Sequence, residues 1–137
     1  MPAKKEGVDP KRKRELHRSA PRVRPEAKFR IRIMAGELIA IGPGKVALVE
    51  AIAATGSITS AAKLLRMSYR RAWLLLDELN HALTQPAVDS AIGGQHGGGS
   101  ALTPTGLELI ELYRRIESTA AQACAADLAR LTALVER

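Results

Sequence analysis

Residues 57–75 read Ser-Ile-Thr-Ser-Ala-Ala-Lys-Leu-Leu-Arg-Met-Ser-Tyr-Arg-Arg-Ala-Trp-Leu-Leu, and this stretch decides the fold. Hydroxyl side chains at its start can cap a short helix that runs to about Leu65 or Arg66, and Ser68 can cap a second helix, Tyr69 to about Leu83. Two small residues, Ala61 and Ala62, let the helices cross closely, because a larger side chain would hold them apart. The spacing predicts a helix-turn-helix.

The preceding segment predicts a further helix and a strand. Pro43 suits the first turn of a helix, which we expect to run to Thr55 and to stop at Gly56. Its predicted apolar face consists of Val46, Leu48, Val49, Ile52 and Ala53. Phe29–Ile33 alternates apolar and basic residues, which is typical of a half-buried strand, and Leu38–Ile41 is a second strand or a lead-in to the helix.

After the helix-turn-helix, the sequence predicts a β-hairpin. Ala87–Ile92 and Ser100–Thr103 have strand character, and Gly93–Gly99 between them contains five glycines. This loop lacks the Gly-Lys-Ser/Thr ending of a nucleotide-binding loop and does not lead directly into a helix, so we interpret it as the tip of a wing. Gln95 and His96 are the two side chains in that tip able to contact DNA.

The C-terminal segment predicts one long helix. It starts at Thr103-Pro104 and would reach about Val135, a length of about 48 Å at 1.5 Å per residue, which exceeds the width of a small domain. Its apolar stripe needs a partner, so we expect a homodimer. The predicted dimerisation residues are Leu109, Leu112, Tyr113, Ile116, Ala120, Ala123, Leu128 and Leu131.

Charge is concentrated at the N-terminus. Of the net charge of +7, residues 1–28 contribute ten Lys or Arg against four acidic residues, and proline interrupts this stretch repeatedly. We therefore expect residues 1–27 to form a disordered basic arm and the rest of the chain to bind a polyanion only locally. Four aromatic residues are too few for single-strand stacking platforms, which favours double-stranded DNA over RNA.

Polar and basic side chains begin the second helix of the helix-turn-helix, where a recognition helix reaches base edges. The candidates are Ser68, Tyr69, Arg70 and Arg71. Either arginine could contact guanine or phosphate, and the sequence does not divide these roles. Ser57, Thr59 and Ser60 at the start of the preceding helix suit a phosphate contact. Trp73 is expected to pack against the wing or the first strand.

Other classes of site are not predicted. The three histidines are far apart and have no Cys or carboxylate at ligand spacing, and no catalytic arrangement is evident, so we expect neither an enzyme nor a metal or cofactor. The single cysteine, Cys124, is expected to be a buried, inert thiol. Without an apolar run long enough for a membrane span or a signal peptide, a cytoplasmic protein is expected.

From Gly56 to Asn80 the chain resembles the DNA-binding domain of ModE, the molybdate-responsive regulator, which is itself similar to LysR-type DNA-binding domains. Met67–Trp73, the loop Gly93–Gly99 and the step Leu102–Gly106 carry the resemblance. It covers about residues 39–120 and implies a winged fold, a dimer held by terminal helices and operator binding. It also implies that residues 68–71 lie on the recognition helix and residues 95 and 96 on the wing tip.

Two departures from that family matter. ModE proteins continue into molybdate-binding domains, whereas this sequence ends at Arg137, so direct oxyanion sensing by these residues is not expected. Arg66 occupies the turn position where such motifs favour glycine, and a left-handed conformation there costs roughly 1 kcal/mol.

The sequence thus predicts a mainly α fold with a small β-hairpin wing. Its parts are the arm (1–27), a winged helix-turn-helix (28–103) and a long dimerisation helix (104–137). The favoured function is a homodimeric transcriptional regulator of a palindromic operator, with a link to molybdenum metabolism. The alternatives are an architectural DNA-binding protein of weak sequence specificity and a direct molybdate or tungstate sensor. The effector, the target genes and the sign of regulation are not encoded in any visible pattern.

Overall fold

The computed structural model describes residues 23–90 and 99–135. This part of the chain is mostly helical, as predicted, and contains two small antiparallel hairpins. The elements in chain order are β1 (Ile33–Ala35), β2 (Leu38–Ile41), α1 (Pro43–Thr55), α2 (Ile58–Leu64), α3 (Tyr69–Ala82), β3 (Val88–Ser90), β4 (Ser100–Leu102), α4 (Pro104–Ala123) and α5 (Ala125–Val135). Within those two ranges, no helix is long and apolar enough to cross a membrane.

The first hairpin corrects the predicted strand Phe29–Ile33. Strand β1 begins only at Ile33, and it pairs with β2 across a turn whose Gly36 has a φ of 64°. The residues before β1 run along α4 instead, where the Tyr113 hydroxyl donates to the Ile31 carbonyl at 2.9 Å. Burial, the main cause, raises the pKa of Tyr113, so the phenol keeps the proton that it donates. An alternating pattern predicts a half-buried extended chain but does not specify its partner.

Helix α1 is the centre of the fold, and it contacts α2, α3, α4 and β4. Its predicted limits are confirmed, and Gly56 ends it with a φ of 82°. Four of the five predicted apolar positions are buried, but Ala53 is exposed and Ala51 is buried in its place. The helix is covered on more sides than a single apolar stripe predicts, and even Lys45 is buried.

The helix-turn-helix forms as predicted. Ala61, Ala62 and Ala72 are buried where α2 crosses α3. In the turn, Arg66 takes the expected left-handed conformation with a φ of 56°, and the Met67 amide donates to the Ala62 carbonyl at 3.0 Å. These contacts fix the angle at which α3 leaves the turn.

The second hairpin confirms the strands of the predicted wing. Val88 pairs with Leu102, and Ser90 with Ser100, in antiparallel register. The wing also joins the end of α1, because the Ser100 amide donates to the Gly56 carbonyl at 2.9 Å. Residues 93–98 of the predicted tip, including Gln95 and His96, fall outside the described residues.

The predicted single C-terminal helix is interrupted at Cys124, whose φ of −102° and ψ of 11° leave the regular helical range. Helix α4 is therefore about 30 Å long at 1.5 Å per residue. Two of its predicted dimerisation residues, Leu109 and Tyr113, are buried in the core of their own chain, which corrects their assignment to an interface. The expectation for Cys124 was also wrong, because this cysteine is exposed.

Helix α4 is tied to α1 by a charged network that sequence reasoning missed. The Arg114 guanidinium donates to both carboxylate oxygens of Glu50 in α1 and, at 2.6 Å, to Glu117 one turn along α4. The hydrogen bonds that Arg114 donates to these carboxylates, those to Glu50 first, raise its pKa above the ordinary value. No local pattern around Arg114 indicates a pairing with Glu50, which lies 64 residues away in the sequence.

The start of α4 lies against the backbone that leads into β3. A side chain added at Gly106 would place its Cβ 2.1 Å from the Ala87 carbonyl oxygen. Thr103 is the N-cap of α4, and its amide donates to the same carbonyl at 3.0 Å. Its Oγ1 accepts a hydrogen bond from the Gly106 amide at 3.1 Å. Only glycine permits this contact between α4 and the wing.

We therefore expect Gly106→Ala to lower the free energy of unfolding by about 1–3 kcal/mol or more, because backbone must move to admit the methyl group. Urea unfolding measures the change. The control is Gly44→Ala in the first turn of α1, where the new Cβ meets nothing within 4 Å. This control should be neutral or up to about 1 kcal/mol more stable. Equal stabilities of the two variants would contradict the expectation.

Candidate nucleic-acid interface

The first turn of α3 presents the predicted recognition residues at the surface. Ser68 is the N-cap, and its Oγ accepts a hydrogen bond from the Arg71 amide at 3.1 Å. Extended backbone at Ser68 then turns directly into the helix at Tyr69. Residues 68–71 are all exposed, so the structure brings the four candidates together on one helix end.

The two arginines of this turn have free guanidinium groups. Neither Arg70 nor Arg71 forms an ion pair with a carboxylate of residues 23–90 or 99–135. Successive residues of a helix point about 100° apart, so Arg70 lies opposite the buried Ala72 and Leu79 side while Arg71 lies on one flank. The pair can therefore contact two different groups on a polyanion.

The start of α2 holds the three predicted phosphate contacts. Ser57 is half-buried and caps the helix, because its Oγ accepts from the Ser60 amide at 3.1 Å. Thr59 and Ser60 are exposed. Their hydroxyls remain accessible, and the contact with phosphate stays a prediction.

Asn80 sets the position of α3 relative to the wing, and sequence reasoning missed it. Its Oδ1 accepts from the Ala87 amide at 2.9 Å, and its Nδ2 donates to the Val88 carbonyl at 3.4 Å. One side chain thus satisfies two backbone groups at the start of β3. The sequence signal that could have identified Asn80 is a polar residue on the inward side of an amphipathic helix.

A buried charge holds the other flank of α3. Lys45 of α1 is only 5% exposed, and its Nζ lies 3.1 Å from Oε2 of Glu78 and donates to the Ile39 carbonyl of β2. The helix is thereby joined to both α1 and the first hairpin. Sequence reasoning missed this pair because a lysine is normally assigned to solvent.

Trp73 departs from its expected place. It was predicted to pack against the wing or the first strand, yet its side chain is 47% exposed. It lies one turn after Tyr69 and Arg70 on the same accessible side of α3.

Comparisons with known proteins agree with this arrangement. Over 82 residues the chain is 44% identical to the molybdenum-pterin-binding protein MopB of Rhodobacter capsulatus, covering 60% of this chain and 30% of that protein. Over 71 residues it is 41% identical to the DNA-binding transcriptional dual regulator ModE of Escherichia coli K12, covering 52% of this chain and 27% of that protein. Part of the chain is thus similar to proteins named MopB and ModE. The chain spans about three tenths of the length of these relatives, and no protein-family model matches it.

A solved structure shows the same fold. The DNA-binding domain in the CbnR–DNA complex superposes with a TM-score of 0.50 at 24% identity, covering 66% of this chain and 95% of that chain. This similarity shows that the fold is that of a winged helix. The ModE resemblance and the fold class inferred from the sequence are thus confirmed.

The role of Asn80 gives a test of the α3–wing connection. Asn80→Ala should lower the free energy of unfolding by about 1–3 kcal/mol, because the buried Ala87 amide loses its acceptor. His81→Ala, at the next position on the same helix, removes only an exposed pairing with Asp77 and should cost less than about 0.5 kcal/mol. Urea unfolding of both variants measures the difference, and equal losses would show that Asn80 does not hold the wing.

Proposed function

We propose that this chain is a DNA-binding transcriptional regulator that recognises a roughly palindromic operator as a homodimer. The observation that carries the proposal is the exposed first turn of α3, with Arg70 and Arg71 free of ion pairs within the described residues. In a winged-helix fold this turn is the part that enters the major groove. The names of the relatives, regulators among them, support DNA as the partner.

The remaining contacts follow from the fold. Ser57, Thr59 and Ser60 would contact phosphate, Gln95 and His96 on the wing would contact the groove or backbone, and the basic arm of residues 1–27 would add phosphate contacts. Molybdenum enters the proposal through relatives named as molybdenum transport or molybdenum-pterin-binding proteins. Regulation linked to molybdenum metabolism, in the cytoplasm where bacterial DNA lies, is the setting that we propose.

The dimer is proposed from the apolar surface of the C-terminal helices. Helix α5 has no buried residue, and Leu131 and Leu134 are 61% and 67% exposed. Leu112 and Ile116 of α4 are exposed as well. Full burial of each such leucine would stabilise an assembly by about 1.5–3 kcal/mol, which favours covering them with a second copy. The proposed interface comprises Leu112, Ile116, Ala120, Ala123, Leu128 and Leu131.

A binding selection tests this function against an architectural role. Duplexes would be selected from a random library with the full chain, and the affinity for the best duplex would be compared with random duplex at several salt concentrations. A regulator should retain a preference of at least about 10³-fold at physiological salt. Equal affinities that fall together with salt would instead identify an architectural protein.

Arg70→Ala and Arg71→Ala should each weaken binding to the selected duplex by about 1–3 kcal/mol and leave unfolding unchanged, because both side chains are exposed. Fluorescence anisotropy measures the affinity. Arg115→Ala, which removes the same charge from α4, is the matched control and should have little effect. Unchanged affinity in both α3 variants would refute the recognition assignment.

For the dimer, Leu128→Glu combined with Leu131→Glu should give monomers in light scattering and much weaker operator binding, because each half-site loses its partner. The control combines Ala129→Glu with Ala133→Glu, which adds the same charge on the opposite, exposed side of α5. Dimers in the first variant, or monomers in the control alone, would place the interface elsewhere.

A further inference from the structure

Beyond its first turn, the exposed surface of α3 contains large apolar side chains. Leu74 is 45% exposed and Trp73 is 47% exposed. Neither side chain belongs to the hydrophobic core that the described residues form, which takes Ala72, Leu76 and Leu79 from this helix. Two large apolar groups thus remain accessible on the element proposed to enter DNA.

The helix geometry places these groups beside the free arginines. Leu74 lies four residues after Arg70, one turn along the same outward face. Trp73 follows Tyr69 by four residues and lies on one flank, about 100° around the helix from Leu74. Both exposed apolar side chains therefore lie beside the positive charge of Arg70, Leu74 on one side and Trp73 on the other, which favours a polyanion over a neutral protein surface as their partner.

The charges of the next turn limit how far DNA can extend along α3. Asp77 lies 3.3 Å from Nδ1 of His81, and Glu78 is held by Lys45. Carboxylates at this point would face phosphates if the helix ran deeper into the groove. The surface that suits DNA is thus confined to residues 68–74, and Leu74 lies at its C-terminal end.

Only one base offers a matching group in the major groove. Thymine carries a methyl at C5, and apolar side chains discriminate it by contact, whereas other groups on these edges are hydrogen-bond donors or acceptors. We propose that Leu74, flanked by Trp73, contacts thymine methyl groups and makes A·T pairs part of the operator. This inference rests on the proposed function and adds to it a specificity determinant that the arginines cannot supply.

Replacing thymidine by deoxyuridine tests the proposal, because it removes the methyl and keeps every hydrogen-bonding group. The probe is the duplex selected from the random library, substituted at one position at a time. We expect at least one substitution in each half-site to weaken binding by about fourfold, the value of one buried methyl group. In Leu74→Ala the same duplexes should bind alike, while Leu74→Met should keep a preference for thymidine.

Two controls separate this contact from general effects. Leu107→Ala removes an exposed leucine of α4 and should leave the thymidine preference unchanged. Arg70→Ala should weaken binding to both duplexes and keep their ratio. Circular dichroism checks that all variants are folded.

The outcomes distinguish the two levels of inference. If the protein binds the deoxyuridine and thymidine forms of the selected duplex equally at every position, the methyl contact is wrong. The proposed regulator function would still stand. A thymidine preference that survives in Leu74→Ala also overturns the methyl contact. If no duplex is bound in preference to random DNA, the regulator itself is wrong and the methyl contact falls with it.

Discussion

The backbone of Ala87 is the point on which the geometry of the molecule depends. Its amide donates to Asn80 of α3, and its carbonyl accepts from Thr103 at the start of α4. Gly106 lies directly against the same carbonyl. Three elements thus meet at one residue whose side chain is completely buried. Because both backbone groups of Ala87 are hydrogen-bonded, the wing and α4 are held in place relative to α3. A displacement of one of these elements would break hydrogen bonds to the others.

Local signals predicted those parts of the fold that local chemistry determines. Serine caps at Ser57 and Ser68, the left-handed stop at Gly56 and the strained turn at Arg66 are properties of a few neighbouring residues, and their positions were predicted within a residue or two. The exposed turn 68–71, which we propose to bind DNA, could be found in the same way, because it begins with the cap Ser68.

What the sequence did not reveal depends on partners far along the chain. The apolar stripe of the C-terminal segment predicted one interface, but Leu109 and Tyr113 fill the core of their own domain. A helix can change partners along its length without any change of periodicity, so the pattern does not show where one partner ends. The burial of Lys45 is similar, because it depends on Glu78 and the Ile39 carbonyl, which approach only in the folded chain. The placement of Phe29–Arg32 along α4 likewise depends on Tyr113.

The irregular residue Cys124 lies between the α4 and α5 parts of the proposed interface. Helix α4 moves with the domain because Arg114 and Gly106 fasten it there, whereas α5 contacts α4 and has no buried residue of its own. In the proposed dimer, the backbone at Cys124 would set the direction of α5 relative to α4, which is about 30 Å long. A change of about 10° in this direction would displace the far end of α4 by about 5 Å, more than one base-pair step of 3.4 Å. In the proposed dimer, the separation between half-sites would therefore depend on the backbone at Cys124, which is remote from the residues proposed to contact DNA.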